Sequence, residues 1–228
     1  AHNNLGLILQ NLGLMDEAII SYEKALTFKP DYIEAHNNLG NILLELGQLD
    51  DAVKSYEKVI AIKPDYAEAH NNLGATLKEL GQLDMAAKSY EKAIAIEPDY
   101  CKAHFNLGCA LLDLGQLDAS TKSFEKALVI KPDYAEAFNN LGNILRELGQ
   151  LDMAAKNYKK ALAIKPDYAV AHYNLGIVLK EFGQRDSAVK SFEKALAIQP
   201  NYVKAHHSLS ILKKFTENDS QITLMQSL

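Results

Sequence analysis

Residues 33–66 read IEAHNNLGNILLELGQLDDAVKSYEKVIAIKPDY, and this stretch decides the fold. The apolar residues of its first half recur every three or four positions, which predicts an α-helix. Gly47 follows that helix and supplies the left-handed backbone conformation that commonly ends helices. A second apolar stripe begins at Leu49 and is stopped by Pro64. We therefore predict two antiparallel helices joined by a short turn that contains glycine.

The stretch also contains a candidate helix cap. Asp65 follows the proline and Glu68 lies three residues later, which is the spacing of a capping box. We therefore expect Asp65 to cap the helix that comes next. The same pairing recurs at Asp31 with Glu34 and at Asp133 with Glu136.

Every proline and every glycine of the chain lies on one 34-residue period. The glycines form two series, which start at Gly6 and Gly13, and the prolines are Pro30, Pro64, Pro98, Pro132, Pro166 and Pro200. A fixed period of about 20–50 residues is typical of solenoids. In such arrays a unit buries its apolar face only against its neighbours. We therefore predict a stacked array, so the length of 228 residues does not by itself give a count of compact domains.

The series that includes Gly40 lies inside the first helix of each unit. Glycine costs about 1 kcal/mol relative to alanine in a helix interior, so its recurrence indicates a close helix contact. We expect small residues such as Ala52 to face this contact. We expect Tyr56 and the aromatic residues equivalent to it to fill the space between neighbouring units.

These residues carry a family resemblance. The pattern His36-x₂-Leu39-Gly40-x₂-Leu43 with Ala52-x₃-Tyr56 and Pro64 resembles the tetratricopeptide repeat, with histidine in place of the usual tryptophan. The resemblance implies an all-α, right-handed superhelical solenoid of antiparallel helix pairs. The motif A-H-N-N-L-G is similar to the repeats of O-linked N-acetylglucosamine transferase. Near the C-terminus, K-K-F-T-E-N-D-S-Q-I-T-L-M resembles the junction of bacterial proteins that join such repeats to a sulfotransferase domain.

The resemblance divides residues 1–202 into six units, of which the first lacks two leading positions. The units are 1–32, 33–66, 67–100, 101–134, 135–168 and 169–202. Residues 203–215 repeat the first-helix pattern once more and resemble a capping helix. In residues 216–228, apolar side chains at helical spacing predict the start of a further helix or a linker.

First helices line a concave groove that holds a peptide in tetratricopeptide proteins, so the resemblance implies such a groove here. One asparagine position is unbroken through all six repeats: Asn4, Asn38, Asn72, Asn106, Asn140 and Asn174. A carboxamide donates and accepts hydrogen bonds, so this ladder suits the backbone of an extended peptide. The other expected peptide-binding residues are Asn37, Asn71, Asn139, Phe105, Tyr173, Lys78, Arg146 and Lys180. The alternative is that the asparagines hydrogen-bond neighbouring units to one another, and the sequence leaves both open.

The clamp that binds chaperone C-terminal tails is a different version of this groove. It needs a lysine one residue before the ladder asparagine. That position holds Asn3, Asn37, Asn71, Phe105, Asn139 and Tyr173. We therefore argue against chaperone-tail binding.

Composition and motifs exclude other classes of function. The net charge of −5 gives no basic footprint for nucleic acid, and no apolar run is long enough to span a membrane. Six histidines recur on the repeat period, but helix spacing keeps them too far apart to share a metal ion. Cys101 and Cys109 lie about 12 Å apart on one helix, too far for a disulfide. No nucleotide-binding or nucleophile motif occurs, so we expect no enzyme activity, cofactor or metal in this chain.

We therefore expect a protein-interaction scaffold that binds an extended peptide in its groove, in which Phe105, Tyr173 and Ile177 select side chains. One alternative is a structural protein that associates end to end into an oligomer or filament. A second alternative is the substrate-recruiting arm of a larger sulfotransferase or glycosyltransferase. We expect a protein or peptide partner, self-association through the repeat ends as the alternative, and neither nucleic acid nor membrane. A reducing, cytoplasmic location is expected from the cysteines.

Overall fold

The computed structural model describes residues 1–213, which fold into thirteen α-helices and contain no strand. In chain order they are α1 (His2–Asn11), α2 (Met15–Phe28), α3 (Ile33–Glu45), α4 (Leu49–Ile62), α5 (Ala67–Glu79), α6 (Leu83–Ile96), α7 (Cys101–Asp113), α8 (Leu117–Ile130), α9 (Ala135–Glu147), α10 (Leu151–Ile164), α11 (Ala169–Glu181), α12 (Arg185–Ile198) and α13 (Val203–Leu212). Odd-numbered helices are the first helices of the predicted units, and even-numbered helices are the second.

The all-α helical-repeat fold is thus confirmed, and the handedness of a superhelix stays a prediction. The helices fall into two compact units, unit 1 (Ala1–Ile130) with α1 to α8 and unit 2 (Lys131–Leu228) with α9 to α13. The predicted capping segment contains α13. The helix or linker predicted over 216–228 lies outside the described residues.

The turn inside each helix pair follows the glycine prediction. Gly47 has φ +71°, and its N–H donates to the carbonyl of Leu44 at 3.0 Å. The N–H of Gln48 reaches back to the carbonyl of Leu43 at 2.8 Å. These two bonds form a Schellman motif, which satisfies the last carbonyls of the first helix.

The turn between pairs corrects the capping prediction. The N–H of Tyr66 donates to the carbonyl of Lys63 at 3.2 Å, which closes a four-residue turn with Pro64 and Asp65 in its centre. The next helix begins at Ala67, so Tyr66 occupies the N-cap position and no side chain caps the helix. Proline favours the second place of such a turn, which draws the aspartate into the third place. The predicted capping box at Asp65 is therefore wrong.

The same correction holds at the two other predicted boxes. Tyr32 is the N-cap of α3 and Tyr134 is the N-cap of α9, again without a side-chain cap bond. Asp31 and Asp133 therefore belong to the preceding turns. The acidic residues Glu34 and Glu136 still lie in the first helical turn, where a negative charge interacts favourably with the helix dipole.

The close contact at the interior glycines is made by an aromatic ring of the same helix pair. A Cβ placed on Gly40 would lie 2.7 Å from Cε1 of Tyr56, whose side chain is fully buried. The expectation that Tyr56 fills the space between units was therefore incomplete, because its ring first covers the glycine of its own pair. The alanine position also faces this contact, as Ser120 shows in the fourth repeat. Its hydroxyl donates to the carbonyl of Gly108 at 2.7 Å.

Each pair completes its core against the next pair in the same unit. In unit 1, Tyr22 and Tyr56 from α2 and α4 join one buried cluster with Ile42 of α3. In unit 2, Tyr158 and Phe192 from α10 and α12 join another cluster. This sharing is the reason that a single 34-residue pair has no complete core of its own.

Arg185, which departs from the leucine of most repeats, also has a defined place. It is the first residue of α12, and its guanidinium donates to the carbonyl of Leu212 at the end of α13. The charge therefore satisfies a carbonyl at a helix C-terminus, where cations are favoured.

Candidate functional site

The asparagine column lies on the first helices and links neighbouring first helices within each unit. In unit 1, Nδ2 of Asn38 donates to Oδ1 of Asn3 at 3.2 Å, and Nδ2 of Asn106 donates to Oδ1 of Asn71 at 2.9 Å. In unit 2, Nδ2 of Asn174 lies 3.0 Å from Oδ1 of Asn139. Inter-repeat hydrogen bonding, the alternative left open by the sequence, therefore occurs. A carboxamide has two N–H donors and an acceptor oxygen, so one such bond does not exhaust it.

A tyrosine from the second helix joins this network in two repeats. The hydroxyl of Tyr56 donates to Oδ1 of Asn41 at 2.7 Å, and Nδ2 of Asn72 donates to the same oxygen at 3.3 Å. In unit 2, Tyr158 donates to Asn143 at 2.9 Å, which also accepts from Nδ2 of the ladder residue of α11 at 3.1 Å. The buried ring thereby fixes the orientation of the carboxamides at the surface.

The asparagine that precedes the ladder residue is buried. Asn37, Asn71 and Asn139 expose 7%, 0% and 3% of their surface. Asn71 and Asn139 each accept a hydrogen bond from the ladder asparagine of the next repeat. Oδ1 of Asn37 differs, because among residues 1–213 it is a buried side-chain oxygen that has no hydrogen-bond partner. The expected acceptor bond is missing there because Asn72 turns to Asn41 instead. Asn71 and Asn139 therefore hold ladder asparagines in place by hydrogen bonds from the buried side. Direct contact of Asn37, Asn71 or Asn139 with a peptide stays a prediction.

The two ends of the column differ in exposure. Asn4 on α1 is exposed, whereas Asn174 on α11 is 8% exposed. Asn38, Asn72, Asn106 and Asn140 are half-buried. The middle of the column therefore offers carboxamides that are both held in place and partly accessible.

The predicted aromatic residues occupy the buried-asparagine position in two repeats. The ring of Phe105 lies 5.6 Å from that of Phe124, and the ring of Tyr173 lies 5.7 Å from Phe192 and 5.0 Å from Tyr202. Both Phe105 and Tyr173 are half-buried. Their rings therefore extend the core to the first-helix surface and leave an apolar edge there.

One of the three predicted cations is already engaged. Nζ of Lys78 lies 3.0 Å from a carboxylate oxygen of Asp113, which forms an ion pair between α5 and α7 that the sequence does not predict. Arg146 and Lys180 are half-buried on α9 and α11. The charge of Arg146 acts on Tyr158, whose pKa burial nevertheless raises to about 12.

The recurring histidines form hydrogen bonds with backbone carbonyls. Nε2 of His36 lies 2.9 Å from the carbonyl of Pro30, and because a carbonyl only accepts, this nitrogen donates. The same bond, at 2.7–3.0 Å, joins His70, His104, His172 and His206 to the proline six residues earlier. Over residues 1–213, no group of three or more histidines, cysteines or acidic residues is placed to hold a metal ion.

The tyrosines at the N-cap positions also serve the joints between pairs. Nζ of Lys63 lies 5.0 Å from the ring centre of Tyr66, within reach of a cation–π contact. The hydroxyl of Tyr66 donates to Glu68 at 3.0 Å. Burial, and then the hydrogen bond with Glu68, raises the pKa of Tyr66 to about 12. The predicted structural role of this column agrees with these contacts.

The described residues 1–213 include both cysteines of the chain. Cys101 and Cys109 are half-buried on α7, and neither forms a disulfide with a described residue. None of the described helices combines the length and the apolar character that crossing a bilayer requires.

Comparison with known families identifies the repeat. Models described as TPR repeat match residues 15–47, 40–81, 108–145 and 142–183. Models described as tetratricopeptide repeat match residues 67–100, 169–202 and 89–121. The chain belongs to the tetratricopeptide repeat family. Two of these matches, 67–100 and 169–202, coincide with the predicted third and sixth units.

Solved tetratricopeptide repeat structures resemble the chain over most of its length. MamA is 29% identical, covers 73% of this chain and 97% of its own, and has a TM-score of 0.65. YrrB, described as a TPR protein with an unusual peptide-binding site, is 24% identical over 82% of this chain and 96% of its own, with a TM-score of 0.65. PilW, a type IV pilus biogenesis factor, is 24% identical over 91% and 96%, with a TM-score of 0.81. No curated protein matches the chain.

Membership of the tetratricopeptide repeat family supports a protein-interaction scaffold and leaves finer predictions open. It does not show the resemblance to the transferase repeats or to the sulfotransferase junction. Self-association, the absence of nucleic-acid binding and a cytoplasmic location likewise stay predictions.

Proposed function

We propose that this tetratricopeptide repeat chain binds an extended peptide along its first helices, and that the asparagine ladder pairs with the peptide backbone. The observation that carries the proposal is the anchoring of half-buried carboxamides, above all Asn72 and Asn106 in unit 1. Each donates one amide hydrogen to the preceding first helix. Anchored in this way, a carboxamide loses little side-chain entropy when a ligand arrives, which favours binding.

The chemistry of the ladder suits a ligand backbone more than any one side chain. Peptide groups present one donor and one acceptor, and a carboxamide offers both. The half-buried rings of Phe105 and Tyr173 add apolar contacts that distinguish one peptide side chain from another. YrrB is described as having a peptide-binding site, but at 24% identity its likeness supports only the fold. The proposal therefore rests on the geometry of this chain.

The test is a triple alanine substitution at Asn72, Asn106 and Asn140. A peptide selected from a displayed twelve-residue random library on the wild-type chain serves as the probe, and fluorescence anisotropy measures its affinity. A hydrogen bond contributes about 0.5–1.5 kcal/mol, so loss of three predicts an affinity at least about tenfold weaker. Circular dichroism checks that helicity is retained, because the same asparagines also link neighbouring helices.

A matched control carries alanine at three exposed second-helix positions on the same 34-residue spacing. These are Lys88, Lys122 and Lys156. We expect the control to keep the affinity of the wild type. Unchanged affinity in the asparagine variant, or an equal loss in the lysine control, would refute the ladder.

A further inference from the structure

A cavity of about 520 Å³ lies between the second helices α10 and α12, inside unit 2. Its volume falls within the range of about 300–1,000 Å³ that is usual for ligand pockets. Leu162 of α10, Leu175 of α11 and Ile198 of α12 contribute apolar side chains to its lining. We call it the α10–α12 cavity. It is formed mainly by second helices, whereas the asparagine ladder lies on first helices.

The rim of the α10–α12 cavity is cationic. Lys159, Lys190 and Lys194 line it, all three exposed, and no carboxylate belongs to its lining. In the part of the chain that the structure describes, none of these lysines forms an ion pair. His172 also lines the cavity, but its Nε2 is bound to the carbonyl of Pro166. The cavity therefore combines apolar surface with positive charge that has no internal counter-ion.

The equivalent cavity two repeats earlier shows that this charge is not a general property of the array. A cavity of about 320 Å³ between α6 and α8, inside unit 1, is lined by Glu91, Lys122 and Lys126. These residues stand 68 positions before Lys159, Lys190 and Lys194. We call this one the α6–α8 cavity. A glutamate takes the place of one lysine there.

The difference arises from one substitution in the repeat. The residue after the core aromatic is glutamate in five repeats, at Glu23, Glu57, Glu91, Glu125 and Glu193. In the fifth repeat, Y-K-K replaces Y-E-K and Lys159 takes that position. Because Gly142, Gly149, Tyr158 and Pro166 of this unit keep the repeat pattern, the fold does not require this change. The reversed charge therefore points to a ligand of opposite sign.

We infer that the α10–α12 cavity docks an acidic amphipathic peptide segment of a partner protein, a second site beyond the proposed groove. Aliphatic side chains of the segment pack on Leu162 and Ile198, and its carboxylates pair with Lys159, Lys190 and Lys194. Exposed ion pairs contribute little each, so burial of apolar area supplies most of the affinity and the lysines select the charge. The charge selection weakens at high salt, since the lysines are exposed.

The probe is a fluorescein-labelled twelve-residue peptide of leucines and glutamates that forms an amphipathic helix, with a counterpart in which every glutamate is glutamine. Anisotropy gives the affinities, and methyl NMR of Ile198 reports the location. Lys159→Glu is expected to weaken binding of the glutamate peptide about two- to fivefold, which is the range for exposed charges. Lys126→Glu changes the net charge equally, but in the α6–α8 cavity, and is expected to leave binding unchanged.

Four results would overturn the inference. They are equal binding of the glutamine peptide, an equal loss in Lys126→Glu, an unshifted Ile198 methyl, and displacement of the peptide by inorganic phosphate at the same concentration, which would indicate a small-anion site. The alanine variant at Asn72, Asn106 and Asn140 separates this site from the groove. It keeps full affinity for the probe if the two sites are distinct, and a loss there places the probe in the groove instead.

Discussion

Replacement of Gly142 by alanine tests whether the interior glycines are required by a packed ring. An added Cβ would lie 2.5 Å from Cε1, 2.8 Å from Cδ1 and 2.9 Å from Cζ of Tyr158. That ring is fully buried, and its hydroxyl is held by Asn143 at 2.9 Å, so it has no free direction in which to move. The clash therefore has to be absorbed by a shift of α9 against α10.

The magnitude follows from two opposing effects. Overpacking in a core costs about 1–3 kcal/mol. Alanine gains about 1 kcal/mol over glycine in a helix interior. We therefore expect Gly142→Ala to lower the free energy of unfolding by about 1 kcal/mol net, between about 0 and 2. Helix propensity alone would predict the opposite sign.

A double-mutant cycle isolates the clash from the propensity gain. Urea unfolding followed by circular dichroism, fitted with a nearest-neighbour repeat model, gives the stability of the wild type, Gly142→Ala, Tyr158→Leu and the double variant. In the Tyr158→Leu background, the alanine should stabilise by up to about 1 kcal/mol, for a coupling of about 1–3 kcal/mol. A coupling near zero, or a Gly142→Ala chain more stable than the wild type, would refute the ring contact as the reason for the glycine.

Three further predictions concern the network around the ladder. Burial raises the pKa of Tyr158 to about 12, compared with 10 in the unfolded chain. The contribution of the neutral Tyr158 side chain to the free energy of unfolding is therefore complete below pH 10. It decreases by about 2–3 kcal/mol as the pH rises from 10 towards 12. The Tyr158→Phe variant lacks this part of the loss of stability at alkaline pH. Urea unfolding midpoints of the wild type and the variant, measured between pH 10 and 12, test the prediction, and parallel pH dependence of the two midpoints would contradict it. Asn139→Ala should lower the free energy of unfolding by about 1 kcal/mol, because Asn174 loses an acceptor. Asn37→Ala should be neutral or stabilising in the same urea assay, because it removes a buried oxygen without a partner, and an equal loss in both variants would contradict this asymmetry.

The helices and their order followed from the sequence because the 34-residue lattice combines several local signals. Apolar spacing, the glycine turn and the proline stop agree in each unit. The capping box failed because Pro64 and the backbone bond from Tyr66 to Lys63 drew Asp65 into a turn. A side-chain pattern of four residues does not reveal that competing backbone bond.

The sequence predicted which residues form the asparagine ladder, but it did not predict their hydrogen-bond partners. The asparagine at each repeat is visible in the sequence, whereas the choice of Asn72 between Asn37 and Asn41 depends on positions in three dimensions. The histidine bond to a proline carbonyl was missed because backbone acceptors have no sequence signature. Lys159 was visible as a departure from Y-E-K, but only the structure places it beside a cavity.

The turn at Gly47 has a consequence for how such an array is elaborated. A Cβ built on this glycine meets no other atom within 4 Å, so the tip of the turn projects into open space. Extra residues at a loop tip add little to the free energy of closing it, since that cost grows only logarithmically with loop length. The tip is therefore an attachment point where a new epitope, tag or whole domain can be grafted without disturbing the packed helices on either side.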